Sequence, residues 1–237
     1  KVRNRKRDYL ERGRYLNATG KTVATLSGMV FEKEPEIIIP SQMNYIYESA
    51  GSNGSGIYDI AQKCVNDVIS LGRIGLFVDA PTNDKGQTIY EVENGVNVPQ
   101  ITTYKADQIF YWYTDGELQE VRLYELYSEV DGLARKEKKQ IRRLVLIDGV
   151  YVNQVWREGS MYSETTPTSN SSTLNYIPFF FAGAEDNSAN VSKPLMYDLA
   201  DYNIGHFVLD CDNRENLHYH GQGMTNVYTS LDTEAFT

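Results

Sequence analysis

The stretch from Pro194 to His220 constrains this chain more than any other. It runs 27 residues with Gly205 as its only interior glycine and no proline after the first position, and Gly221 and Gly223 follow it. Proline fits the first turn of a helix. The pattern therefore predicts one helix over Pro194–His220, about 40 Å long at 1.5 Å per residue. That exceeds the usual helix of a globular domain. On a helical wheel Leu195, Leu199, Tyr202, His206, Leu209, Asn213 and Leu217 form one stripe. Met196, Ala200, Ile204, Phe207 and Cys211 form a second, apolar flank, and Asp198, Asp201, Asp212 and Glu215 gather on a third side. Two packings account for this. The helix is held between neighbours on two faces with its acids toward water or a channel, or it is a long core helix with an ordinary solvated edge.

Composition narrows the setting. With 41% hydrophobic residues in 237, the chain is not of the disordered class. Its length fits one large domain or one and a half ordinary ones. No run of 18 apolar residues exists to span a bilayer as a helix. The first residues, KVRNRKRDYL, contain no apolar core of a secretory signal. They also lack an initial Met, so a fragment, a processed product or a shortened chain is expected.

Charge is unevenly spread. The formal net charge is −9, yet the first 14 residues carry +5, which leaves −14 for the rest. A basic end on an acidic body reads either as a solvated helix or tail, or as a local contact with nucleic acid or an acidic partner. Cys64 and Cys211 stand far apart, as expected of reduced thiols in a cytosolic setting. Sequons at Asn17, Asn53, Asn170 and Asn190 count as chance matches without an export signal. The 18 tyrosines suit strands and interfaces.

Periodicity gives a coarse map. Residues 3–31 read as one or two helices with a break near Gly13 and Gly20. Pro35 and Pro40 bracket an extended piece, Glu36–Ile39. AGSNGSG (50–56) is a turn before an amphipathic helix, Ile57–Leu71, with Gly72 as its C-cap. Ile74–Val78 reads as a buried strand, and Asp79, Pro81, Asn83, Asp84 and Gly86 as a loop. Between 99 and 157 the period becomes two, giving strands at Ile101–Tyr104, Gln108–Tyr113, Glu117–Tyr127, Gln140–Ile147 and Val150–Trp156. Asp115-Gly116, Asp131-Gly132 and Asp148-Gly149 supply the turns of an antiparallel meander. Residues 158–175 are Ser/Thr-rich and read as a mobile loop or insertion. Ile177–Phe181 is a last apolar strand, with a loop over Gly183–Lys193.

Catalytic chemistry finds no foothold. GSNGSG precedes a helix but lacks the Gly-Lys-Ser/Thr of a P-loop and any strand clearly entering it. His206, Cys211, His218 and His220 share no metal-binding spacing, since residues two apart face different ways on a helix. No G-x-S-x-G occurs, and neither cysteine sits in an electropositive motif. Asp198 and Asp201 could in principle act as an acid–base pair, but helix-face carboxylates are ordinarily solvated. No catalytic, cofactor-binding or metal-ligating residue is assigned, and the chain is not expected to be an enzyme.

Four stretches taken together resemble the portal-like proteins of tailed bacteriophages and prophages. They are YLNATGKTVATLSGMVFEKEPEI (15–37), LGRIGLFVDAP (71–81), IPFFFAG (177–183) and PLMYDLADYNIGHFVLDCDNRENLHYHGQ (194–222). The first and last are the specific blocks, and the likeness extends from about residue 9 to 222. The resemblance implies an α+β portal-like fold: a wing of helices and antiparallel sheet over 1–193, a stem helix over 194–220, and the start of a clip over 221–237. It also implies a ring at one capsid vertex of the virion, usually a dodecamer, through which double-stranded DNA is packaged and ejected. Terminase, capsid and tail adaptor proteins dock on such rings, which assemble in the bacterial host cytoplasm. No cofactor is implied, no membrane is involved, and ATP hydrolysis falls to the terminase.

On that reading Asp198, Asp201, Asp212 and Glu215 are the expected channel-facing residues, because an acidic wall lets phosphates slide past. Leu195, Leu199, Tyr202, Ile204, Phe207 and Leu209 are the expected subunit-interface residues. The chain stops short of most of the clip, the second stem helix and the crown. The basic N-terminus lies outside the matching blocks. The alternatives are a head–tail adaptor or other ring connector, and a small nucleotide-binding hydrolase.

Overall fold

The computed structural model describes residues 5–79, 98–132, 134–169 and 172–221. The fold is α+β with antiparallel sheets. Five helices are described: α1 (Arg5–Arg12), α2 (Ala18–Val30), α3 (Ile46–Ser49), α4 (Ile57–Leu71) and α5 (Tyr197–His220). Among the described residues no helix is long and apolar enough to cross a membrane.

One sheet has the order β10-β1-β2, built from β1 (Arg73–Asp79), β2 (Gln100–Lys105) and β10 (Phe179–Gly183). The second is a five-stranded meander of β3 (Ile109–Asp115), β4 (Glu117–Asp131), β5 (Ala134–Ile147), β6 (Val150–Arg157) and β7 (Ser160–Thr165). A small hairpin pairs β8 (Thr168–Ser169) with β9 (Ser172–Thr173).

Local chemistry explains most of these elements. The Asp59 carboxylate accepts the Gly56 N–H at 3.3 Å and satisfies a donor at the start of α4. The helix buries Ile60 and Ile69 and packs on β1, β2 and β10. Two meander turns place successive residues at positive φ, Asp148 at 51° with Gly149 at 76°, and Glu158 at 50° with Gly159 at 82°. That is the type I′ geometry whose twist matches antiparallel strands. The core lies between the two sheets and is built from Phe77, Tyr104, Leu123, Leu144, Phe179 and their neighbours.

Three expectations change. Ile101–Tyr104 does not join the meander; β2 pairs with β1, with Gly75 opposite Tyr104. A 3-10 turn over Ala106–Gln108, held by the Lys105 N–H donating to Gln108 Oε1 at 2.8 Å, carries the chain from one sheet to the other. The polar stretch 158–175 is not simply a loop, because β7 adds to β6 with Gln154 opposite Glu164. Ser and Thr suit an edge strand whose side chains stay largely in water. The long helix begins at Tyr197 rather than Pro194, whose carbonyl accepts the Tyr197 N–H at 3.1 Å in the preceding turn. The loop expected at Pro81, Asn83, Asp84 and Gly86 lies outside the described residues, as does nearly all of 221–237.

The sequence reading divides the chain at 193/194 and at 220/221. Packing divides it at 21/22 and 197/198 into two compact units, one running from Thr22 to Tyr197. The other joins the described residues up to Lys21 with those from Asp198 onward.

Candidate functional site

α5 is 24 residues long, about 36 Å at the helical rise. Only Asn203 and Cys211 on it are buried. Leu199, Ala200, Phe207, Asp210, Arg214 and Glu215 are half-buried, so the inward stripe recurs every three or four residues through 203, 207 and 211. It meets the N-terminal segment. A Cβ at Gly13 would lie 2.2 Å from Cys211 Sγ and 2.7 Å from Phe207 Cε2, so only glycine permits this approach. Tyr15 packs edge-on to Phe207 with centroids 5.8 Å apart. Asn203 Oδ1 accepts the Ala18 N–H at 3.1 Å at the start of α2.

Charge completes this contact. Arg12 Nη1 donates to Glu215 Oε2 at 2.6 Å, and Arg5 lies 3.9 Å from the same carboxylate. The Tyr9 hydroxyl donates to Asp212 Oδ1 at 2.7 Å. The hydrogen bond to Asp212, with burial and the carboxylate's charge, raises the Tyr9 pKa to about 12. Asp210 Oδ2 accepts the Arg14 N–H and the Arg214 Nε–H, each at 2.7 Å. The Arg214 bond, then the Arg14 bond, lower the Asp210 pKa. The acidic partner of the basic N-terminus is thus α5 of the same chain.

The expected channel residues separate into two pairs. Asp198 and Asp201 are exposed. Asp212 and Glu215 are engaged by α1, and the Glu215 side chain is only 16% exposed. The wheel treats α5 alone and has no place for the segment that covers this side. The expected interface residues also divide. Leu199 and Phe207 turn partly inward. Tyr202, Ile204 and Leu209 are 78%, 59% and 69% exposed, and Leu195 is exposed ahead of the helix.

A second surface went unread in the sequence. On the outer face of the meander, cross-strand pairs bring together Arg122 with Arg143, Tyr124 with Ile141, Leu126 with Lys139, and Ile141 with Trp156. Phe110 stacks on Tyr124 at 4.2 Å, and Arg122 lies over Tyr111 at 4.4 Å. Phe110, Arg122, Tyr124, Lys139, Ile141, Arg143 and Trp156 line an open cavity of about 520 Å³. Glu120 accepts Arg143 Nε at 2.7 Å and Arg122 Nε at 2.6 Å. The Arg143 bond leads the causes that hold its carboxyl below the usual range, against the effect of burial. The usable signal was parity. In β4 and β5 the residues 122, 124, 139, 141 and 143 all fall on one face, and each is cationic, aromatic or aliphatic.

Among the described residues no group of His, Cys, Asp and Glu gathers into a possible metal site. The chain matches no family model, and no curated protein matches it.

Proposed function

We propose that the chain is part of a portal protein subunit of a tailed bacteriophage. On this reading the ring stands at a capsid vertex of the virion, conducts viral DNA in packaging and ejection, and offers docking sites to terminase and tail adaptors. The sheets and α4 form the wing, and α5 is the first stem helix.

One observation carries the reading. α5 leaves Tyr202, Ile204, Val208, Leu209 and Leu217 between 46% and 78% exposed while burying only Asn203 and Cys211. A helix with so much apolar surface in water is fitted for neighbours, and copies of itself in a ring supply them. The four sequence blocks support the same assignment. α5 carries Asp198, Asp201, Asp210, Asp212 and Glu215 against Arg214 alone. An acidic wall neutralises no phosphates and leaves duplex free to slide. Asp198 and Asp201 are the pair that would face the bore.

The test is the size and shape of the full-length parent protein. Light scattering and negative-stain images should show rings with a central hole at least as wide as duplex DNA, about 20 Å from its groove dimensions. A monomer at every concentration, with melting that depends on a small ligand, would overturn the reading in favour of an enzyme.

A further inference from the structure

The segment Glu32–Pro40 lies in the larger unit. Residues 34–40 belong to no helix or strand. Ile38 is 86% exposed, more than any other large apolar side chain among the described residues. It sits in a run of Ile37, Ile38 and Ile39 preceded by Glu32, Glu34 and Glu36, with Lys33 the single opposing charge. The Tyr47 hydroxyl donates to the Ile37 carbonyl at 2.5 Å and fixes one point of the run. An acidic and apolar segment in water is suited to a surface that is basic and apolar.

The outer face of the meander has that chemistry. Its cavity is walled by Phe110, Tyr124, Ile141 and Trp156 and rimmed by Arg122, Arg143 and Lys139. Arg122 and Arg143 share the single carboxylate of Glu120. Glu158, the other acid at the rim, pairs with Lys138. The rim therefore keeps a cation surplus. Ile38 cannot be filling the cavity of its own copy, because it is exposed.

We propose that the Glu32–Pro40 segment of one copy seats on the outer sheet face of the next, with Ile38 in the cavity and Glu34 and Glu36 toward Lys139 and the two arginines. Donor and acceptor are different patches of one chain, so the contact is head-to-tail, the kind that closes into a ring when its rotation permits. The proposal rests on the ring reading for its symmetry, but the contact itself can be observed without a ring.

The full chain carrying photoreactive benzoylphenylalanine at position 38 is irradiated, and the products are mapped by mass spectrometry. Dimers linked from position 38 to peptides within 110–124 or 139–156 are expected. In parallel, Lys139→Glu is expected to raise the concentration needed for assembly at low salt by tenfold or more. Glu34→Lys with Glu36→Lys on the same chain should recover most of it. These positions are exposed, and circular dichroism checks that the variants fold. Links confined within one copy overturn the proposal. So does assembly of Lys139→Glu and Ile38→Ser at the wild-type concentration, while rings that persist leave the ring reading intact. Dimers linked as expected but never forming rings support the contact and overturn the ring. A chain that stays monomeric throughout overturns both.

Discussion

Arg142 grips the Glu125 carboxylate with two bonds, Nε to Oε1 at 2.6 Å and Nη2 to Oε2 at 3.3 Å. The Tyr104 hydroxyl and Gln140 Nε2 complete the shell, at 2.5 Å and 2.7 Å. Arg142 also donates to Asn153 Oδ1 at 3.2 Å. Tyr104 comes from the three-stranded sheet and the others from the meander, so a polar network ties the two layers inside an apolar core. Both charged side chains are less than a fifth exposed. Removing one partner leaves the other charge buried and unpaired. Arg142→Met should cost about 3–5 kcal/mol in denaturant unfolding. Adding Glu125→Leu should restore part of the loss, because the Glu125 carboxylate is then no longer left buried without its arginine.

The same pair sets an acid limit. Burial alone pushes the Glu125 carboxyl up, but the bonds from Arg142, Tyr104 and Gln140 outweigh it, and the net shift is downward. A carboxyl with a folded pKa below its unfolded value contributes stability that is complete above the ordinary carboxylate range. That stability is lost as pH falls through the folded pKa. The unfolding midpoint should therefore drop more steeply below pH 4 in the wild type than in Glu125→Gln, which has no such proton to take up.

Tyr9 offers a spectroscopic reporter of the contact between α1 and α5. Its pKa is raised to about 12 by the bond to Asp212. Titration followed by ultraviolet absorbance, with Tyr9→Phe subtracted, should show this phenol ionising well above the ordinary value near 10. Asp212→Asn should bring it back toward that value. A Tyr9 that titrates normally in the wild type would mean that the basic N-terminal segment does not lie on α5.

How much of this was legible depends on the range of the contacts. α4 was readable from end to end, because its apolar spacing and Gly72 are both local. The Asp148-Gly149 turn was legible for the same reason. Glu158-Gly159 makes the same turn with a residue that rarely takes positive φ, and β7 was hidden behind it. The sheet to which β2 belongs depends on pairing with β1 and is not written in residues 100–105. The inward face of α5 is not legible in the helix itself, because apolar residues occur all round it. The choice among faces is made by Gly13, Tyr15 and Ala18, nearly two hundred residues away. The basic–aromatic face was missed because its members alternate across several strands and become neighbours only in register.

Gly13 should be intolerant of even one methyl group. The added Cβ would overlap Cys211 Sγ and Phe207 together, and Cys211 is fully buried. Gly13→Ala should destabilise this unit by about 1–3 kcal/mol, as overpacking does. The loss should appear as faster amide exchange over residues 5–21 before any change in the sheets. Cys211→Ala in the same chain removes the nearer of the two clashing atoms and should recover part of the protection.

Asp201→Lys and Asp212→Lys separate the surface of α5 from its support. Asp201 is exposed, and on the proposed ring reading its replacement should leave folding and assembly of the parent protein unchanged. Asp212 holds Tyr9, and a lysine there meets the basic N-terminal segment. That variant should loosen α1 whatever the helix faces. The functional comparison therefore rests on Asp201→Lys. If this carboxylate lines a conduit for duplex, a ring of added cations attracts phosphates and retards their passage, and the effect weakens as salt displaces the contact. Packaging and ejection should slow in particles carrying Asp201→Lys and recover at higher ionic strength. Normal kinetics in particles whose rings are intact would place Asp201 away from the DNA path.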